Sequence, residues 1–354
     1  MSKPWTGQAL LATYAKGRRD FSHCNLYKVT LKNKRLDGIN LQGAELNEAV
    51  IEGCRFDGAN LRKADFTWAE LDGTSLRGAD LTGADFQGAV LTNTCFDEAK
   101  LGKANLDSAD LQGASLVRSK LGKASLDYTV FSGADLTGAD LTGSRGVGTD
   151  FSGATLADTK LQETDLLYAD FTDAQISADT AATVQKIQKD TEKARAKKQR
   201  EVNKLKSRYR GGTTLFSGAD LSWADLDEID LKGADLSGAN LGNADLEDAV
   251  LNGCELVGAD LRRANLSRAQ LNNANLCGAD LTEACLDEAQ LENAQLGSPP
   301  PSPSGPRLYS FDDKSKQPAE LSQVDLEGAN LKEANLRKVD LSYADLESAR
   351  LEGA

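Results

Sequence analysis

Residues 76–91 read Leu76-Arg-Gly-Ala-Asp-Leu81-Thr-Gly-Ala-Asp-Phe86-Gln-Gly-Ala-Val-Leu91, and this run decides the fold. A bulky apolar centre returns every fifth position, a small residue stands two places before it, and Asp or Asn often stands just before it. The same register extends outward from Phe21 to Ile176, where 31 of 32 slots hold Leu, Phe or Ile and only Gly146 departs. It resumes from Phe216 to Leu296 and again from Leu321 to Leu351. A period of five fits neither the 3.6 of a helix nor the 2 of a strand. A helix would smear the centres around its circumference, and a flat strand would alternate them between faces. A chain that turns a corner every five residues keeps all of them on one axis. Four corners close a coil of about 20 residues, and coils stack about 4.8 Å apart through backbone hydrogen bonds.

The remaining repeat positions follow from that geometry. The slot two before each centre faces a narrow bore, which predicts no room beyond a methyl or a thiol. Asp or Asn beside the corner can accept local backbone N–H groups, and Gly tolerates the positive φ of tight turns. Residues 20 apart stack, which places Phe131, Phe151 and Phe171 in one internal column and Phe66 under Phe86. Around Gly143-Ser-Arg-Gly-Val-Gly148 a bulged corner is expected, with Val147 compensating for the missing centre at Gly146.

This A(D/N)LXX pattern, seen in Ala59-Asn60-Leu61, Ala79-Asp80-Leu81 and Ala234-Asp235-Leu236, resembles the pentapeptide-repeat family. The resemblance covers about 80 % of the chain. It implies an all-β solenoid, a right-handed quadrilateral parallel β-helix, and it is specific for fold far more than for function. Large members of this type are abundant in cyanobacteria. Some act in cell regulation by binding other proteins, and others imitate DNA and bind type II topoisomerases.

The organisation follows from where the repeat stops. Residues 1–20 lack it, and Trp5, Leu10, Leu11 and Tyr14 have helical spacing, which predicts an N-terminal capping helix. Repeats fill 21–176, 214–296 and 321–354. The long helical insertion expected at 177–213 contains no Gly or Pro from Val184 to Arg210. Its apolar stripe runs through Val184, Ile187, Thr191, Ala194, Val202, Leu205 and Tyr209, with one slip in phase near Lys198. That stretch holds 11 Lys/Arg against 3 acids; the rest of the chain holds 30 against 51, or about -21. Residues 297–320 carry six of the seven prolines and read as a loop or linker.

Chemistry is sought and not found. One histidine, His23, removes triads and His-metal clusters. Cys24, Cys54 and Cys254 occupy the small slot, Cys95 and Cys285 precede a centre and Cys277 follows one; no CxxC occurs, and buried thiols in a reducing compartment are the expectation. The aspartates recur by repetition, so no carboxylate pair stands out. The expectation is therefore no enzyme, no cofactor and no metal. No apolar run approaches a membrane span and no signal-peptide stretch follows Met1, which suggests a cytoplasmic protein.

One outward pattern exceeds the repeat. Trp68, Tyr128 and Tyr168 share one phase modulo 20, and Val147 and Leu167 replace polar residues on the same face. Tyr128, Val147, Leu167 and Tyr168 are expected to form a patch beside the insertion, left open to a partner or covered by Ile187, Val202 and Leu205. The basic helix offers Lys193, Arg195, Lys197, Lys198, Arg200, Lys204, Lys206 and Arg208. The leading reading is a non-catalytic interaction scaffold whose partner is another protein. The uncapped C-terminal coil is a second contact, for homo-oligomers. The alternatives are a DNA-mimicking acidic rod that binds gyrase, and a basic helix that meets nucleic acid or an anionic membrane; the acidic rod disfavours nucleic acid.

Overall fold

A computed structural model describes residues 4–296 together with Leu331, Leu336 and 349–352. The Pro-rich stretch 297–320 lies outside the described residues, as does most of the third repeat block, on which the expected C-terminal contact falls. The chain divides into two compact units, Met1–Glu192 and Lys193–Ala354.

In both units every rung pairs a residue with the one 20 ahead, in parallel. Asp20 pairs with Asn40, Asn40 with Asn60 and Asn60 with Asp80; in the second unit Asp220, Asn240, Asp260 and Asp280 do the same. Four such columns per coil make a four-sided tube. Where three residues pair in sequence the rungs widen into short strands, β1 (Thr30–Lys32) on β2 (Val50–Glu52). Farther on, β3 (Thr155–Leu156) lies on β4 (Gln175–Ile176). Centres with a coil ahead of them donate their N–H to the carbonyl 19 residues on, as Phe21 does to Asn40 at 2.7 Å. Leu331 keeps this register, donating to Arg350 at 2.8 Å, and it lies buried in the second unit's core.

The corner is a tight turn closed by the slot N–H on the centre's carbonyl, as from Ala59 to Phe56 at 3.0 Å. Its third residue has positive φ, +65° at Gly58 and +63° at Gly73, the conformation a type II turn demands. Rung aspartates accept the N–H two residues on, Asp135 from Thr137 at 2.9 Å and Asp150 from Ser152 at 2.8 Å. The aspartates are thus occupied as turn caps.

Inside, the centres are closed to solvent. Phe66 stacks on Phe86 with centroids 4.8 Å apart, and Phe131, Phe151 and Phe171 form a column at 5.3 Å spacing. In the slot, Thr74, Thr94 and Thr129 hydroxyls donate to the centre carbonyl 23 residues back. Cys54 and Cys254 thiols do the same, and burial pushes the Cys254 thiol up to about 11.

Two expectations need correction. The slot also takes Val29, Ile39 and Ile229, all buried. All three sit in a unit's first coil, and Val29 lies within 3.6 Å of where a Cβ at Gly7 of the capping helix would stand. Val29 is no larger than the threonines buried in the slot of interior coils, whereas Ile39 and Ile229 exceed them. At Gly146 the space is taken by Leu166 and Thr149, whose atoms would stand 2.7 and 2.4 Å from an added Cβ. Val147 stays half-buried outside the bore.

Helix α1 (Gly7–Ala15) starts at Thr6, whose hydroxyl accepts the Ala9 N–H. It buries Leu10 completely, and Trp5 meets Phe21 edge-on with centroids 5.5 Å apart. Helix α2 (Ala178–Arg210) lies within 177–213 and starts six residues before the apolar stripe read from Val184.

Candidate functional site

Helix α2 is built on a stripe at spacings of three and four residues: Thr180, Val184, Ile187, Thr191, Ala194, Lys198, Val202, Leu205 and Tyr209. Counting Lys198 removes the apparent slip. Its side chain is only 15 % exposed and its ammonium meets the Asp220 carboxylate at 2.9 Å. It also donates to the Asp220 carbonyl at 3.3 Å. Burial raises the Asp220 carboxyl, but hydrogen bonds from Lys198 and Ser222 win and hold it below its ordinary range.

The N-terminal half of the stripe closes the last coil of the first unit. Val184 and Ile187 join that unit's core. The Thr180 hydroxyl donates to the carbonyls of Leu156 and Thr159, at 3.3 and 3.2 Å. The Tyr168 N–H, which elsewhere would reach the next coil, donates to the Thr191 hydroxyl at 3.0 Å. The helix therefore stands where a further coil would.

The C-terminal half closes the first coil of the second unit, and Val202 and Leu205 belong to that unit's core. The Tyr209 hydroxyl donates to the Lys232 carbonyl at 2.8 Å, 23 residues on. Tyr14 of α1 does the same to Asp37 at 2.9 Å, also 23 residues on. Gly17 and Gly212, at φ +96° and +88°, end the two helices. The guanidinium groups of Arg18 and Arg208 lie 5.0 and 5.2 Å from the Phe21 and Phe216 rings. A spacing of Leu, four to Tyr, three to Gly and four to Phe thus occurs twice, at Leu10 and at Leu205. That repetition is a signal the sequence itself carries.

The outer side of α2 is basic. Lys193, Arg195, Lys197, Arg200, Lys204 and Arg208 are exposed, Lys206 is half-buried and Lys198 is enclosed. Lys204 pairs with Glu201 at 2.8 Å, and Arg208 reaches the Leu215 carbonyl at 3.4 Å. Lys197 and Arg200 make no ion pair among the described residues.

The aromatic face is split. Tyr128 donates its N–H to Val147, and Gly148 donates to Leu167, both at 2.9 Å, so Tyr128, Val147, Leu167 and Tyr168 occupy neighbouring coils. All four are half-buried. Trp68 lies three coils from Tyr128, about 14 Å along the axis. Its indole lies over Gly88, where an added Cβ would come within 2.2 Å of the ring. Trp68, Tyr128 and Tyr168 all hold positive φ, +57°, +60° and +62°. Under Val147, burial raises the Asp127 carboxyl above its ordinary range, against the Val147 N–H and Arg145, with Asp107 and Asp165 adding to the rise. Ile187 enters the core at the coil end, and Val202 and Leu205 serve the second unit. They do not form the cover expected over this patch.

Among the described residues no group of His, Cys, Asp and Glu is placed to hold a metal ion. Among them, no helix is long and apolar enough to cross a membrane.

No match was found among curated proteins. Among solved structures, the chain is similar to HetL, a pentapeptide repeat protein involved in heterocyst differentiation regulation from the cyanobacterium Nostoc sp. strain PCC 7120. Identity is 27 %, with 83 % of this chain and 96 % of that one covered, and the TM-score is 0.42. A second pentapeptide repeat protein of Nostoc PCC 7120 matches at 28 % identity over 43 % of this chain and 95 % of its own, TM-score 0.25. QnrB1, a plasmid-mediated fluoroquinolone resistance protein, matches at 15 % identity over 47 % and 94 %, TM-score 0.31. The pentapeptide-repeat profile matches in eight copies across residues 24–62, 64–102, 104–143, 147–177, 214–253, 259–296 and 319–354. With more than half of its length matched, the chain belongs to the pentapeptide-repeat family, whose members form right-handed quadrilateral β-helices.

Proposed function

We propose that this protein is a non-catalytic interaction scaffold that binds another protein. The contact lies on the outer side of α2, and Tyr128, Val147, Leu167 and Tyr168 of the first unit are a second candidate contact. One observation carries the reading. Capping uses the buried stripe of α2, and on the opposite side Lys197 and Arg200 are exposed and make no ion pair among the described residues. The aromatic face adds support. Tyr128 and Tyr168 place aromatic rings at the left-handed turn position that Gly, Lys, Glu or Asn fill in other coils, and aromatic side chains on an otherwise polar face suit recognition.

Removing the insertion would uncap both units, so point variants test the reading. Full-length protein is used as bait in extracts of its own cell, beside Lys197→Glu with Arg200→Glu, and beside Tyr128→Ser with Tyr168→Ser. Quantitative mass spectrometry is expected to show at least one bound protein reduced fivefold or more in each variant. The same bound set at the same yield in all three overturns the reading.

A further inference from the structure

Lys193, Lys197, Arg200 and Lys204 follow one another at spacings of four, three and four residues on α2. They form one exposed row about 16 Å long, on the side away from Lys198, Val202 and Leu205. The second unit also holds the opposite pattern. At one corner, the two turn positions of four successive coils carry Asp227 and Glu228, Glu247 and Asp248, Ser267 and Arg268, then Asp287 and Glu288. Their alignment is fixed by the flanking rungs Asp225–Asp245–Asn265–Cys285 and Asp230–Val250–Gln270–Gln290. Arg268 binds Glu247 and Asp248, the latter at 2.7 Å. Asp227, Glu228, Asp287 and Glu288 make no ion pair among the described residues, and Asp227, Glu228 and Glu288 are exposed.

We propose that the basic row of one copy seats on the acidic corner of the second unit of another copy, giving a salt-sensitive self-association. This rests on the reading of α2 as a contact surface and names its occupant. The two surfaces match in charge and nearly match in period. A helical turn advances 5.4 Å and a coil about 4.8 Å, so three steps give about 16 Å against about 14 Å. Flexible lysine stems absorb that difference. A nucleic acid fits less well. Its strands wind away from a straight row, and its continuous charge runs against the acidic remainder of the chain.

Sedimentation of the full chain at about 20 mM and about 500 mM salt tests the proposal, since screening at the higher salt removes such contacts. At low salt the mass is expected to rise with concentration; at high salt the protein stays monomeric. Lys197→Glu with Arg200→Glu, and separately Asp227→Lys with Glu228→Lys and Glu288→Lys, are each expected to weaken association tenfold or more while circular dichroism is unchanged. Mixing these two variants restores it, because each supplies the charge the other now needs. A monomeric wild type at low salt, or a mixture that stays monomeric, overturns the proposal. So does a monomeric chain that binds a DNA duplex or phosphatidylserine vesicles through Lys197 and Arg200. In those cases partner capture by α2 still stands if the bait experiment shows it; an unchanged bound set overturns that reading separately.

Discussion

Helix α1 and the C-terminal half of α2 close their coils by the same means and differ in what they show to water. Both bury a leucine, Leu10 and Leu205, and both aim a tyrosine hydroxyl at a carbonyl 23 residues on. Yet α1 carries no charged residue from Gly7 to Ala15, while Val184–Arg210 carries 11 cations. Since a neutral helix closes a coil by the same leucine and tyrosine, the charge on α2 other than Lys198 and Arg208 is surplus to capping. That surplus is the main reason to look for a partner there.

The comparison breaks most readily at the two leucines. Leu10→Ala and Leu205→Ala are each expected to cost about 2–5 kcal/mol. Hydrogen exchange is expected to quicken only in the coil beneath, around 21–40 for the first and 216–235 for the second. Equal quickening in both coils from either variant would show that the caps do not act locally. Next come Tyr14→Phe and Tyr209→Phe, which strip a donor from Asp37 and Lys232. The loss is about 1 kcal/mol for Tyr14 and less for the more exposed Tyr209, read from chemical denaturation. No change in Tyr14→Phe would remove the hydroxyl from the capping device. The smallest effect belongs to Lys197→Gln with Arg200→Gln, expected to stay within about 0.5 kcal/mol of wild type. A larger loss would mean that the basic row stabilises the chain after all.

The period of five makes the coil readable because each centre returns to one axis and each rung to one column; Phe131, Phe151 and Phe171 could be stacked on paper. The caps were half-readable. Trp5, Leu10 and Tyr14 announced a helix by spacing, but Lys198 looked like a break in the α2 stripe. A lysine reads as a surface residue until its ammonium is seen on Asp220. Phase modulo 20 names a face of the tube and says nothing of height along it. For that reason Trp68 was grouped with Tyr128 and Tyr168, although three coils separate it from Tyr128. The slot rule of a methyl or a thiol was too tight, since interior coils bury Thr74, Thr94 and Thr129 there; the larger Ile39 and Ile229 lie in first coils, and sequence spacing does not show whether a coil or a helix lies next to a residue.

The hydroxyls of Tyr14, Thr191 and Tyr209 have a consequence for how this protein keeps to itself. A stacked parallel coil is a sheet whose unpaired backbone groups lie only at its ends, where another chain could add by strand pairing and continue indefinitely. Thr191 occupies the Tyr168 N–H at one such end. Tyr14 and Tyr209 occupy carbonyls at two others. Side-chain oxygens placed on these turn positions act as stoppers to polymer growth. At these three ends they withhold association from backbone pairing, which salt cannot reverse.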